Sequence, residues 1–245
     1  MVASGMTVRW GPVLRYLFGG AICLLAVGAL GAGLQWYSAV GTLSAGLLII
    51  IGRRRIFRTA VARTSDEIIC RYVPWYEGNA YALIVALPLM GVAFIAAGFS
   101  PGYPVWLRYG GFFLLGVMPL IVYSVVTIWR RNILRITPSR LFLRFASAPK
   151  DGLSEVRREL VQSITPKMIP NSVNGIKSLQ VEVAYRPVDF SDETPKVVLL
   201  GLYLSVQPTN LLDALVAWKD AATDDPSELL DRIERILRGQ STADV

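Results

Sequence analysis

The sequence predicts an α+β membrane protein: a four-helix transmembrane bundle of two helical hairpins, followed by a cytoplasmic antiparallel β domain with C-terminal helices. Three observations predict it. Of 245 residues, 53% are hydrophobic and only 18% are charged, where an ordinary soluble domain carries about 25% charged residues. Residues 1–131 hold 11 arginines, no lysine and 3 acids, a balance of +8, while residues 132–245 hold 14 basic and 15 acidic residues, a balance of −1. Past residue 131 the long apolar runs give way to short alternating segments.

Between Arg15 and Arg53 lie 37 consecutive uncharged residues. A bilayer core about 30 Å thick takes roughly 20 helical residues, and a run this long would make a helix of about 55 Å. Two spans are therefore expected, about 13–33 and 37–56, broken at residues 31–38. There glycines loosen the helix, and Trp36 and Tyr37 suit the membrane interface. Arg15 and Arg53 would snorkel outward at the ends. The first run is followed at once by another, so the N-terminus is read as a retained span and not a cleaved signal peptide.

The third span is expected over 80–99 and the fourth over 105–129, joined by the compact turn Ser100-Pro-Gly-Tyr-Pro104. Pro88 and Pro119 fall inside these spans and should kink them, which neighbouring helices tolerate. Arg9 and Arg15, then Arg53, Arg54, Arg55, Arg58, Arg63 and Arg71, then Arg130 and Arg131 all fall on one side of this scheme. The opposite loops hold only Arg108. The positive-inside rule then puts both termini in the cytoplasm and the protein in the plasma (inner) membrane. Segment 57–79 fits two readings, an elbow helix lying in the interface or an ordered loop capped against the cytoplasmic domain. A domain boundary is expected at 131/132.

In residues 132–245, segments 132–137 and 140–145 flank Pro138-Ser139 as a hairpin. Further strands are expected over 159–164, 178–185 and 196–206. Pro208-Thr209-Asn210 opens one helix, with Leu211, Leu212, Leu215 and Trp218 on one face. Asp225-Pro226-Ser227-Glu228 opens another like a capping box, and Gly239 can end it.

Little in the sequence points to catalysis. There is no histidine, which removes the commonest general base and metal ligand together. Cys23 and Cys70 form no CxxC pair, so neither zinc nor a disulfide framework is supported. Asp66/Glu67 and Asp192/Glu193 are adjacent acids, not a converging dyad, and no phosphate-binding, dinucleotide or zinc motif occurs. No catalytic, cofactor or metal residue is assigned, and no cofactor is expected. The basic excess lies in the membrane half, which favours anionic lipid over nucleic acid as its partner. No Asp, Glu, Lys, Arg or His falls within 16–52, 80–99 or 109–129, so an ion pathway is not expected.

The residues assigned roles are structural. Gly28 with Ala32 and Gly41 with Ala45 are small-xxx-small pairs that permit close helix packing, within the chain or against another subunit. Arg53, Arg54, Arg55, Arg58, Arg130 and Arg131 are candidate anionic-lipid anchors, with simple topology anchoring as the plainer role.

Two resemblances extend this reading. Leu134-Arg-Ile-Thr-Pro-Ser-Arg-Leu-Phe-Leu-Arg144, with Tyr203-Leu-Ser-Val-Gln-Pro-Thr-Asn-Leu-Leu-Asp-Ala-Leu-Val-Ala-Trp218, resembles the opening hairpin and closing strand and helix of the bacterial pleckstrin-homology-like (PH-like) domain. The layout as a whole, with Val73-Pro-Trp-Tyr-Glu-Gly-Asn79 in the first cytoplasmic loop, resembles the actinobacterial lipid-uptake-coordinator (Luc-like) membrane proteins, accessory subunits of mammalian-cell-entry (Mce) lipid transporters. That resemblance implies a non-enzymatic accessory subunit that stabilises a multisubunit Mce-type ABC lipid importer, with transporter subunits as partners. A stand-alone small carrier or channel for an apolar substrate, or a membrane-bound enzyme with an unrecognised site, are the alternatives.

Overall fold

A computed structural model describes residues 10–51, 56–144, 154–170, 177–186, 196–201, 203–221 and 225–240. The chain divides into two compact units, residues 1–55 with 78–124, and residues 56–77 with 125–245. It is an α+β protein with antiparallel sheets.

The first unit is helical. Helix α1 (Trp10–Gly31) ends where Gly33 takes φ +77°, with Leu34 N–H bonding Ala29 O and Gly33 N–H bonding Leu30 O. This is the glycine-dependent helix stop that the 31–38 segment predicts. Helix α2 (Trp36–Ile51) returns along α1. Arg15 of α1 donates from Nε to Ile49 O and from an Nη to Ile50 O at 2.8 Å. A cation thus binds carbonyls in the last described turn of α2, where positive charge complements the helix dipole. The next apolar run is continuous from Gly78 to Phe99: α3 (Gly78–Tyr81), a π-helical turn (Ala82–Ala86) and α4 (Leu87–Phe99). Pro88 has no N–H to give to the preceding turn, and the wider π turn upstream, where Leu87 N–H bonds Ala82 O, absorbs the break. Helix α5 (Trp106–Arg131) follows the 100–105 turn.

Among the described residues, three helical runs are long and apolar enough to cross a membrane: Val13–Gly31, Gly78–Phe99 and Trp106–Arg131. Helix α2 differs from the span expected over 37–56. It has 16 residues, or about 24 Å of rise, and ends at Ile51, with residues 52–55 outside the described set.

The second unit is built around two sheets. The first has five strands in the order β1 (Val61–Arg63), β2 (Ile68–Arg71), β3 (Ile133–Ile136), β4 (Arg140–Arg144) and β5 (Ser154–Arg157), all antiparallel. The second has β6 (Val161–Pro170), β7 (Lys177–Tyr185) and β8 (Lys196–Leu200). Helices α6 (Pro208–Asp220) and α7 (Pro226–Leu237) follow. Period-2 alternation sends Ile68 and Cys70 of β2, Leu134 and Ile136 of β3, and Val181 and Val183 of β7 into one core with Leu211, Leu215, Trp218, Ile233 and Leu237. Trp218 is fully buried, and its Nε1 donates to Thr137 O at 2.7 Å, which fastens α6 to the β3–β4 turn.

Segment 57–79 corrects both sequence readings. It is neither an interfacial helix nor a capping loop, since it supplies β1 and β2 to the sheet of residues 133–157. The unit therefore takes in 56–77, which the boundary at 131/132 assigned to the membrane half. Ile68 pairs with Ile136 and Cys70 with Leu134, so apolar side chains that a local reading hands to a helix face fill a sheet core. The strand expected over 159–164 starts at Val161 and runs on to Pro170, and that expected over 196–206 stops at Leu200, where Gly201 turns with φ +113°.

Candidate functional site

The arginines proposed as anchors fall into three groups. Arg53, Arg54 and Arg55 lie outside the described residues. Arg130 is exposed and Arg131 half-buried in the last turn of α5, where cations complement the helix C-terminus. Beside them, Trp129 meets Trp75 edge to face, with ring centroids 6.5 Å apart; both rings are largely exposed, as aromatic residues at a membrane interface are.

Arg58 stands apart from the other anchors because the fold gives it a setting. Its guanidinium lies 5.3 Å from the centroid of the Tyr76 ring, and Phe57 N–H bonds Tyr76 O at 2.8 Å. It lines a cavity of about 520 Å³ with Thr59, Gln207, Asn210, Arg238 and Gly239. Two elements bring Arg238 there. Helix α7 is started by Asp225, whose side chain accepts from Ser227 N–H at 3.2 Å, and is stopped by Gly239 at φ +74°, with Gln240 N–H on Arg235 O. A Cβ on Gly239 would stand 3.0 Å from Asn210 Nδ2, so the glycine lets the α7 terminus close against the start of α6.

The edge of the first sheet carries a second polar cluster. Ala60 N–H bonds Ser205 O, Ser205 N–H bonds Arg71 O, and Arg71 N–H bonds Ala60 O. Segment 203–206 is thereby stitched to the loop that holds β1 and β2. Ser205 Oγ donates to Glu77 Oε1 at 2.9 Å and accepts from Val73 N–H at 2.9 Å, and both side chains are buried. Glu77 was not singled out from the sequence; an acid directly before an apolar run reads as a solvated flank. Cys70 is fully buried in β2, and desolvation pushes its thiol from 9.0 up to about 12, which removes thiolate character at neutral pH.

The small-residue pairs separate. Gly28 is exposed on α1 and Ala32 in the turn just after it, and a Cβ on Gly28 would meet nothing within 4 Å. Gly41 and Ala45 are half-buried, and a Cβ on Gly41 would stand 3.6 Å from the Ala93 Cβ of α4. Close approaches within this unit occur at glycines the sequence reading passed over, tightest at Gly98 against Arg108 and at Gly111 against Gly91 O. A Cβ on Gly46 would be 2.7 Å from Cys23 Sγ and 3.1 Å from Gly19 O, and a Cβ on Gly91 would be 3.1 Å from Leu115 and 3.3 Å from Gly111 O. Spacing alone could have flagged Gly19 with Cys23, but it does not say which small pair faces inward. Arg108, in the first turn of α5, lies 4.7 Å from the Phe99 centroid and 5.4 Å from that of Tyr109.

Among the described residues, no three His, Cys, Asp or Glu side chains converge as a metal site would need. Compared with known proteins, the chain matches no family model, no curated protein and no solved structure.

Proposed function

We propose that this chain is a four-span protein of the plasma membrane with both termini cytoplasmic, and that it acts as a non-enzymatic accessory subunit of a multisubunit membrane complex, an Mce-type lipid importer. One observation supports the topological part of this reading. Strands β2 and β3 are neighbours in one sheet, and the residues between them, 72–132, contain two of the long apolar helices. Strands that hydrogen-bond to each other occupy the same compartment, so the intervening chain must cross the bilayer an even number of times. The arginine asymmetry then makes that compartment the cytoplasm. On this reading α1 and α2 form the other hairpin, with snorkelling at the ends of α2 making up its length.

The PH-like reading draws support from the order of the second unit. Strands β1–β5 follow one another across one antiparallel sheet, β6–β8 across a second, and α6 packs into the core. The domain would then begin before the second membrane hairpin, which is an insertion between β2 and β3. Such a chain offers a partner both a cytoplasmic surface and a bilayer-embedded one, including the uncovered Gly28 on α1 and Ala32 just beyond it.

Affinity purification of the tagged chain from native membranes tests the proposal. A defined set of membrane and ATPase subunits in fixed ratio is the expected result. A monodisperse protein without partners would favour the carrier reading instead.

A further inference from the structure

We propose that the cavity between Arg58 and Arg238 is a binding site for a phosphate group, a function that does not depend on the accessory-subunit reading. Both arginines line it, and among the described residues no carboxylate does. Each is held from outside the cavity, Arg58 by the Tyr76 ring and Arg238 by Glu234, whose Oε1 lies 2.7 Å from one terminal nitrogen. A guanidinium carries five N–H donors, so the single contact to Glu234 leaves a fork that can still grip an oxyanion. The other polar lining strengthens the same preference. Asn210 and Gln207 are amides, Thr59 a hydroxyl, and the first turn of α6, on which Asn210 sits, contains no acid. Among the described residues, anion-repelling groups are thus missing from a lining that two arginines share.

The size and edge of the cavity narrow the ligand. At about 520 Å³ it exceeds a bare inorganic ion and suits a phosphomonoester or phosphodiester head group. Phe57, 62% exposed, contributes an apolar side chain to the same lining. Cation and exposed apolar ring side by side match an amphiphile, a phosphate with a hydrophobic tail. The phosphate could be presented by an anionic phospholipid or by a soluble glycerol phosphate, and the shared chemistry is the phosphate itself.

The test uses the full-length protein in nanodiscs of phosphatidylcholine. Binding of fluorescent phosphatidic acid added to the discs is measured, with glycerol 3-phosphate as competitor and phosphatidylcholine of the same label as control. In R58Q/R238Q, binding of the phosphate ligand should weaken roughly tenfold or more, the cost of losing charge-assisted hydrogen bonds. R58K, which retains the charge without the fork, should lose part of it, and R157Q, outside the cavity, should bind like the parent. Thermal midpoints check that each variant is folded. Tight lipid binding with weak competition supports the site and identifies a lipid source; competition by glycerol phosphate at similar affinity supports it and identifies a soluble one. Unchanged binding in folded R58Q/R238Q, or no binding of either phosphate by the parent, overturns the proposal.

Discussion

Ser205 and Glu77, 128 residues apart in sequence, meet in the interior of the second unit, where the serine hydroxyl donates to the glutamate carboxylate at 2.9 Å. Glu77 is 3% exposed and Ser205 fully buried. Because the same hydroxyl also takes Val73 N–H, one side chain fastens the β1–β2 segment to the strand-like stretch that precedes α6.

Ser205→Ala should therefore destabilise the protein beyond the loss of one surface hydrogen bond. It removes a donor from a buried carboxylate and an acceptor from a backbone N–H, a change that costs about 1–3 kcal/mol. Thermal or chemical unfolding of the full chain in detergent, followed through circular dichroism, measures it. A midpoint equal to that of the parent would show that the Ser205 contacts contribute nothing.

The glycines give a paired prediction. Gly46→Leu should destabilise the α1–α2 hairpin by about 1–3 kcal/mol, since overpacking forces backbones apart, whereas Gly28→Leu should leave the isolated protein unaffected. Unfolding midpoints of both variants in the same detergent provide the comparison. If Gly28→Leu nonetheless lowers recovery of partner subunits, the exposed α1 stripe is a docking face. Equal destabilisation by both would contradict the packing described for Gly46.

Cys70 makes a pH-dependent prediction. Its folded-state pKa is raised, so the neutral thiol is the form the fold prefers. Stability from this group is complete below the unfolded pKa near 9.0 and declines as pH rises toward about 12, because only the unfolded chain releases the proton in that window. The parent should lose stability between those limits more steeply than Cys70→Ala. At pH 8 a maleimide should modify Cys70 only after denaturation. Rapid labelling of the native protein would show that the thiol is not buried.

Topology is tested by cysteine labelling in a Cys23→Ser/Cys70→Ala background. Gln35→Cys and Tyr103→Cys should react with an impermeant maleimide on intact cells, while Ser65→Cys and Thr209→Cys should react only after lysis. External labelling at Thr209 would reverse the orientation that the arginines assign.

How much of this was legible follows from the range of each interaction. The α1 stop at Gly33, the Pro138-Ser139 hairpin and the Asp225 cap with its Gly239 terminus depend on neighbours within a few residues, and each forms about where the pattern puts it. Strands β1 and β2 are three and four residues long and acquire meaning only from β3, which lies beyond two apolar helices. A short run such as Ile68-Ile-Cys-Arg71 cannot be told from a helix turn until its partner is known. Strand β6 runs past the expected end at residue 164 through prolines at 166 and 170; as an edge strand it tolerates their missing donors. At the site, Arg58 is visible as a charge, but its sharing of a cavity with Arg238 arises only when the α7 terminus closes against α6.

The accessory-subunit role is tested most directly by the abundance of partner subunits in membranes from a strain lacking this protein. A subunit that binds only the assembled complex lowers the free energy of that state by mass action, so partners left without it should be degraded, and lipid uptake should fall with them. Complementation by the parent gene should restore both. Partner subunits at normal abundance in the deletion strain would contradict the stabilising role, and lost uptake alongside normal abundance would transfer the function to a carrier acting on its own.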